Sequence, residues 1–290
     1  MNAEIGTFKT EDGLNLHYRY FHKPAAVKTL VILHGHGEHS GRYEKFSRFL
    51  SAEPVSIAVY DARGAGQSEG REVYVDSLED YIRDVSSFIA FLKDRYEALP
   101  LTLFGHSLGG LVALHWALRF PHKISKLILS SPCLGLRIPE PLLCMNNFFN
   151  KVVPGLIYKN PVYPPHLTHN PEEVDHYRKD QLIKRKISVR LLAEMIKYGN
   201  LIEAKDILEF PFPVHILMAG LEKVVDKERT VRVFERIKAP KKNLQIFEGF
   251  YHEIFNELGQ EKVFDALIAC LRDPGVSVPE PHYPDSHSHD

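Results

Sequence analysis

The fold class is decided by one stretch, Leu101-Thr-Leu-Phe-Gly-His-Ser-Leu-Gly-Gly-Leu111, which passes from an apolar run through a sharp turn into a helix. Apolar residues continue at helical spacing from Leu108 to Phe120. Between the two elements lies the pattern G-x-S-x-G, in which Gly105 and Gly109 flank Ser107. Side chains at those two positions would collide with the neighbouring strand or helix, so the glycines permit a strained turn that exposes the serine hydroxyl. Ser107 is therefore the candidate nucleophile, and a glycine-rich turn without chemistry is the alternative.

The rest of the chain alternates predicted strands and helices around this turn. Further predicted strands cover residues 14–20, 27–33, 55–60, 124–131, 213–219 and 243–247. Further predicted helices cover residues 43–50, 76–98, 227–237 and 259–271. Alternation of this kind is typical of a mostly parallel sheet with helices on both faces. The expected fold class is α/β.

The alternation stops after Pro132 and resumes about 80 residues later. Residues 133–210 are predicted to contain helices but no convincing strand. An insertion of this length between two core strands would lie over the carboxyl ends of the strands as a lid. The expected organisation is a core formed by residues 1–132 and 211–273, with a helical cap formed by residues 133–210. Residues 274–290 are expected to be a disordered tail, because they cannot bury enough apolar surface.

Composition argues against several classes of function. The 36 Lys and Arg residues nearly balance the 37 Asp and Glu residues, so no net charge favours nucleic acid or an anionic membrane. The N-terminal residues form no apolar signal region, and no stretch reaches about 18 consecutive apolar residues, which predicts a soluble cytoplasmic protein. Cys133, Cys144 and Cys270 have unrelated spacings and are predicted to be small buried hydrophobic residues rather than redox or metal groups.

A serine hydroxyl needs a base to activate it, and the base needs an acid that orients it. On this architecture the chain order is Ser, then Asp or Glu, then His. His252 follows the last predicted strand on a loop that contains Gly249, and this position predicts the base. The loop after residues 213–219 should supply the acid, and it offers Glu222 and Asp226. Position favours Glu222, since Asp226 stands where it would cap the next helix, but both are candidates.

The oxyanion formed in acyl transfer needs two N–H donors that are already aimed at it. The backbone N–H of Leu108, the residue after the candidate nucleophile, is the first candidate. The loop His34-Gly-His-Gly37 follows the second predicted strand and has a flexible backbone, and the N–H of His36 is the second candidate. A metal site formed by His34, His36 and His39 is the alternative, although the glycines fit an oxyanion loop without further assumption.

Four motifs together resemble those of the monoacylglycerol lipase and lysophospholipase group of the α/β-hydrolase superfamily. They are His34-Gly-His-Gly-Glu-His-Ser-Gly-Arg-Tyr43, Asp61-Ala-Arg-Gly-Ala-Gly-Gln-Ser-Glu-Gly70, Gly105-His-Ser-Leu-Gly-Gly110 and Glu248-Gly-Phe-Tyr-His252. The resemblance extends over residues 5–272 and includes a helical cap. It implies a serine hydrolase of glycerol-linked fatty acyl esters, an apolar acyl channel under the cap, and no metal or organic cofactor.

The resemblance also assigns roles to individual residues. It matches Ser107 to the nucleophile, His252 to the base, and Leu108 and His36 to the oxyanion donors. The acid is the one departure, because the family usually has Asp where this chain has Glu222 in Gly220-Leu-Glu-Lys-Val-Val225. In this loop the chain is more similar to the bacterial lysophospholipase branch.

The expected activity is hydrolysis of carboxylic esters of monoacyl lipids, monoacylglycerols or lysophospholipids, through an acyl-enzyme. The apolar series from Leu134 to Val153 favours it, because an acyl chain needs a mostly apolar slot, and makes the cap a candidate for transient membrane or micelle contact. An esterase of small substrates or a proline-type aminopeptidase is the alternative. The aminopeptidase would need carboxylates in the cap, where Glu172, Glu173 and Asp175 are available. A non-catalytic binding protein, the third hypothesis, would be expected to lack a triad residue.

Overall fold

The computed structural model describes residues 3–160 and 162–274. One eight-stranded sheet consists of Ala3–Lys9 (β1), Asn15–Phe21 (β2), Lys28–Leu33 (β3), Val55–Tyr60 (β4), Leu101–His106 (β5), Lys126–Ser130 (β6), Val214–Ala219 (β7) and Lys242–Phe247 (β8). The spatial order is β1-β2-β4-β3-β5-β6-β7-β8. The pairs β1–β2 and β2–β4 are antiparallel, and the other neighbours are parallel. The predicted α/β class is confirmed.

Eight helices accompany the sheet within the described residues. They are Glu44–Phe49 (α1), Glu79–Arg95 (α2), Leu108–Arg119 (α3), Glu140–Val152 (α4), Pro171–Lys179 (α5), Val189–Glu203 (α6), Lys227–Glu235 (α7) and Glu261–Arg272 (α8). Single turns of 3₁₀ helix lie at Ser40–Tyr43, Pro164–His166 and Ile254–Asn256. None of the helices that the structure describes is both long and apolar enough to span a bilayer.

The central strands are buried on both faces, as their continuous apolar sequences require. Side chains alternate across β3, so Val31 and Leu33 belong to a core that also contains residues of α2 and α3. Leu30 and Ile32 belong to a second core, on the opposite face, that contains residues of α1 and α8. Helices therefore cover the sheet on both sides, and the loops at the carboxyl ends of the strands are left to form a site.

The structure differs from the strand prediction in two places. β1 was not predicted, because in this edge strand only Phe8 is fully buried and the alternation is weak. The expectation of no strand within residues 133–210 was wrong. Residues 157–159 and 186–188 pair as short antiparallel strands, and residues 208–209 pair with 237–238. Segments of two or three residues are too short to show a period of two.

The segment that we propose as a cap, residues 133–210, lies between β6 and β7 and contains α4, α5 and α6. The sequence predicts a disordered tail over residues 274–290, and residues 275–290 lie outside the described residues. Cys133 and Cys270 are buried as predicted, whereas Cys144 is exposed on α4. Cys144 lies on an exposed face of α4, so its apolar neighbours in the sequence were a poor guide to its burial.

Candidate active site

The turn between β5 and α3 holds Ser107 in a strained conformation, with φ of 51° and ψ of −116°. A positive φ is unusual for a residue with a side chain, and it persists only where the surrounding structure enforces it. A Cβ atom at Gly105 would lie 2.4 Å from the carbonyl oxygen of Gly109, and one at Gly109 would lie 2.1 Å from that of Leu33. Both glycines are therefore required for the sharp turn, as the pattern predicts.

Ser107, His252 and Glu222 form one continuous line of hydrogen bonds. The Ser107 Oγ lies 3.0 Å from His252 Nε2, and His252 Nδ1 lies 2.8 Å from Glu222 Oε2. The three residues follow the carboxyl ends of β5, β8 and β7, which are parallel strands of one sheet. The geometry is that of a nucleophile, a base and an orienting acid.

The structure separates the two acid candidates that the sequence left open. Glu222 is buried, and its second oxygen, Oε1, accepts hydrogen bonds from the backbone N–H of Val224 at 2.7 Å and of Val225 at 3.2 Å. Asp226 instead caps the first turn of α7, where it accepts a hydrogen bond from the N–H of Arg229 at 3.0 Å. The carboxylate in contact with the imidazole is that of Glu222.

The electrostatics of His252 favour proton uptake. Burial is the largest single influence and would lower the pKa of this imidazole, but the carboxylates of Glu222, Glu253 and Glu38 together outweigh it, so the pKa is raised. Burial would raise the pKa of Glu222, but the His252 contact and the Val224 and Val225 N–H groups lower it. These contacts favour the ionised form of Glu222, which suits a carboxylate that would orient and stabilise a charged imidazole.

The loop that follows β3 passes directly beside the candidate nucleophile. A Cβ atom at Gly35 would lie 3.3 Å from the Cβ of Ser107, and the N–H of Gly35 donates to Glu38 Oε2 at 2.7 Å. His36 lines a small cavity of about 30 Å³ together with Leu108, the first residue of α3, whose N–H has no intrahelical acceptor. The structure thus brings both candidate oxyanion donors close to the Ser107 turn.

The three histidines proposed as an alternative metal site have separate partners. The N–H of Ala62 donates to His34 Nε2 at 2.9 Å, His36 Nε2 lies 2.9 Å from the carbonyl oxygen of Lys186, and His39 Nε2 lies 2.8 Å from Asp180. The described residues include no group of three or more His, Cys, Asp or Glu side chains placed to hold a metal ion.

Sequence reasoning missed a buried charge cluster, Glu38–Arg42–Glu253, beside this site. Arg42 forms an ion pair with Glu38 and donates to Glu253 at 3.0 Å and 2.7 Å. Glu38 also accepts a hydrogen bond from the N–H of Gly35, and Glu253 directly follows His252, so the cluster joins the candidate oxyanion loop to the loop of the candidate base. The sequence did contain a signal for this cluster. Glu38 and Arg42 are opposite charges within the motif His34–Tyr43, and the carboxylate of Glu253 stands next to His252.

We expect Glu253→Gln to move the acidic limb of the kcat/KM profile to lower pH by about half a unit. That limb reports protonation of the free base, and the Glu253 carboxylate raises the pKa of His252. The variant leaves in place the other charged groups around this imidazole, which are Glu222, Glu38, Arg42 and, on the cleft side, Lys223. His106, 5.0 Å away between ring centroids, has a pKa that burial lowers. The measurement is kcat/KM for a p-nitrophenyl ester between pH 5 and pH 9.

A matched control for this variant is Glu53→Gln. Glu53 is also a buried carboxylate paired with an arginine, Arg272, but it lies outside the cleft. The acidic limb of the kcat/KM profile of Glu53→Gln should coincide with that of the wild type. Equal shifts in both variants, or no shift in Glu253→Gln, would contradict an electrostatic role for Glu253.

Ser107 and His252 open onto a cleft of about 160 Å³ between the strand ends and the proposed cap. Most of the side chains that cap residues contribute to its wall are apolar, among them Leu136, Ile138, Val162, Leu167, Ile187, Leu192 and Met195. Burying apolar side chains and ligand atoms against each other is the usual basis of lipid recognition. The cleft can therefore hold an acyl chain with its carbonyl carbon at Ser107.

Comparison with known proteins gives one family match and many relatives. The family model described as Hydrolase_4, serine aminopeptidase, S33, matches residues 24–259. Phospholipase YtpA of Bacillus subtilis is 34% identical over 250 residues, which are 85% of this chain and 95% of that protein. Human monoglyceride lipase is 32% identical over 253 residues, which are 85% of this chain and 82% of that protein.

Solved structures resemble the whole fold. The monoacylglycerol lipase of Paleococcus ferrophilus superposes with a TM-score of 0.76 and 29% identity, over 93% of this chain and 98% of that chain. A soluble variant of the monoglyceride lipase of Saccharomyces cerevisiae, in complex with a substrate analog, has a TM-score of 0.83 over 96% of each chain. At 20% identity, the second likeness concerns the fold alone.

Proposed function

The chain belongs to the Hydrolase_4 family, in the monoacylglycerol lipase group of the α/β-hydrolases, and on that premise we propose that it hydrolyses esters of monoacyl lipids. The relatives named phospholipase and monoglyceride lipase make it a carboxylic ester hydrolase with lipid ester substrates. The observation that carries the proposal is the hydrogen-bonded line Ser107–His252–Glu222, which opens onto an apolar cleft.

In the proposed mechanism, His252 accepts the proton of Ser107 while the Ser107 Oγ attacks the ester carbonyl carbon. Glu222 holds the imidazole ring and stabilises its charged form. The N–H groups of Leu108 and His36 stabilise the tetrahedral oxyanion. The alcohol leaves with the proton from His252, and water activated by His252 then releases the fatty acid from the acyl-enzyme.

We expect kcat/KM for p-nitrophenyl esters to rise with acyl length, with medium or long chains at least about tenfold above the acetate. Each methylene that enters an apolar slot contributes about 0.8 kcal/mol, so a few of them suffice for that factor. The measurement is initial rates at substrate concentrations below micelle formation, from acetate to palmitate. Equal activity on acetate and laurate would contradict the lipid assignment.

The aminopeptidase alternative gains no support from the cap carboxylates. Glu173 pairs with Lys45 at 2.6 Å and Asp175 pairs with Lys179 at 2.7 Å, on the surface of α5. Glu172 lies in the first turn of the same helix, and none of the three lines the cleft described above. The family description names an aminopeptidase, but among the described residues of the cap no carboxylate lines this cleft to bind a substrate ammonium.

We also propose that one face of α4 makes transient contact with membranes or micelles. Leu142, Met145, Phe148 and Val152 follow one another at a spacing of three or four residues and are exposed, Phe148 and Val152 by 62% each. An exposed apolar helix face beside an apolar cleft is typical of interfacial binding.

We expect the double variant Met145→Ser/Phe148→Ser to bind vesicles about tenfold more weakly, because each serine removes apolar area from the lipid contact. Co-sedimentation with vesicles measures the effect, and hydrolysis of a soluble short-chain ester reports whether the cleft is intact. Val27→Ser is the control, since Val27 is an apolar residue 55% exposed just before β3. Equal weakening in both proteins would contradict a specific role for α4.

A further inference from the structure

The charged side chains that line the cleft differ in whether they can contact a bound molecule. Glu38 and Glu253 are buried, and both are paired with Arg42. Arg137 and Lys223 also line the cleft, but both are exposed at its mouth. Because Glu38 and Glu253 already form ion pairs with Arg42, the charged groups of the lining that can meet a bound molecule at the mouth are the cations Arg137 and Lys223.

Lys223 directly follows Glu222, so its position is tied to the candidate triad. Its Nζ donates to the hydroxyl of Tyr251 at 2.7 Å and lies 4.1 Å from the centroid of that ring. Tyr251 in turn precedes His252. Within the described residues, Lys223 forms no ion pair with a carboxylate. Its ammonium group is therefore held beside the base without being neutralised.

Arg137 contacts the same turn. Its Nη1 lies 3.4 Å from the carbonyl oxygen of Glu222, which is the peptide unit that joins Glu222 to Lys223. Its Nη2 pairs with Glu228 at 2.8 Å, but both side chains are about half exposed, and such surface pairs are weak. Two cations thus flank one peptide unit at the mouth, and a stronger anion can compete with Glu228 for Arg137.

We propose that Lys223 and Arg137 form a subsite for the phosphate of an anionic head group, so that lysophospholipids are preferred over neutral monoacylglycerols. The inference rests on the proposed function and extends it. With the ester carbonyl at Ser107 and the acyl chain along the apolar wall, the rest of the substrate points to the mouth. In a monoacyl glycerophosphate, only the three-carbon glycerol separates the ester from the phosphate. Arginine matches phosphate geometry with paired N–H groups, and lysine adds a compact charge.

The chemistry at the ester does not change. The Ser107 Oγ forms the acyl bond, the glycerophosphate alcohol leaves with the proton from His252, and water then releases the fatty acid. The phosphate ester bonds are not broken. The subsite therefore acts on binding, and its loss should appear in KM rather than in kcat.

The test compares 1-lauroylglycerol 3-phosphate with 1-lauroylglycerol below their micellar concentrations. Wild type, Lys223→Gln/Arg137→Gln and the control Lys159→Gln are assayed at low and high salt. Lys159 is an exposed lysine outside the cleft lining. We expect wild type and control to prefer the phosphate substrate by about tenfold at low salt, and the preference to shrink at high salt. In the double variant the preference should disappear through a rise in KM.

A second measurement requires no lipid turnover. Glycerol 3-phosphate should inhibit wild-type hydrolysis of p-nitrophenyl butyrate competitively, about tenfold more strongly than it inhibits the double variant. Glycerol at the same concentration should not inhibit.

The outcomes are distinguishable. Hydrolysis of both lipids with equal preference in wild type and double variant would overturn the subsite and leave the proposed function standing. A preference of the wild type for 1-lauroylglycerol would do the same. An equal loss on both lipids and on p-nitrophenyl butyrate would also overturn it, because the two cations would then act on the triad. Hydrolysis of neither lipid by the wild type would overturn both proposals.

Discussion

Replacement of Ser107 by alanine is expected to lower kcat/KM for a long-chain p-nitrophenyl ester by about 10⁴-fold or more. The variant removes the atom that we propose to form the acyl bond, and His252 then has nothing to activate except water. The proposed oxyanion donors and the cleft remain, so a residual rate above that of water is expected. Stability should change little, because alanine and serine tolerate the positive φ of 51° at this position about equally.

Ser131→Ala is a matched control for this variant. Ser131 is also a buried serine at the end of a central strand, with a positive φ of 39°, and it accepts a hydrogen bond from Ala219. The Ser131→Ala variant should retain most of the wild-type activity. Labelling with a fluorophosphonate, followed by mass analysis of the intact protein, should attach one group to the wild type and to Ser131→Ala but none to Ser107→Ala. Persistent labelling of Ser107→Ala would place the nucleophile elsewhere.

The parts of the structure that depend on local sequence could be predicted closely. β5 begins at Leu101 and α3 begins at Leu108, as expected, because a buried strand, a glycine-flanked turn and a helix are each encoded by neighbouring residues. The prediction that Asp226 caps the next helix is confirmed by its bond to Arg229, since N-caps are also local.

The parts that depend on contacts between distant residues could not be predicted. Arg42 and Glu253 are 211 residues apart in the sequence, and although both motifs carry charges, no local pattern indicates which of those charges pair. The edge strand β1 gains its pairing from β2 rather than from a pattern of its own. Likewise, apolar spacing on α4 suits a buried face as well as an exposed one, and only the surrounding structure leaves Phe148 exposed.

Exchange of Glu222 for glutamine is expected to lower kcat/KM by about 10³- to 10⁴-fold. The amide cannot stabilise the imidazolium form of His252, and it lowers the pKa of that base by removing the negative charge. It can also present an N–H to His252 Nδ1, which would favour the wrong tautomer. The measurement is the same ester assay with thermal unfolding in parallel, so that a folded but inactive variant is recognised.

Two further variants isolate the role of the carboxylate. Asp226→Asn should keep near wild-type activity, because asparagine is an equally good N-cap for α7. Glu222→Asp should recover part of the lost rate but not all. In the wild type, Oε1 of Glu222 lies 2.7 Å from the Val224 nitrogen and Oε2 lies 2.8 Å from His252 Nδ1, and the shorter aspartate must span the same gap. A large loss in Asp226→Asn with a small loss in Glu222→Gln would reverse the assignment. Full activity of Glu222→Asp would instead mean that this loop moves inwards, and that the extra methylene of glutamate is not needed to reach the base.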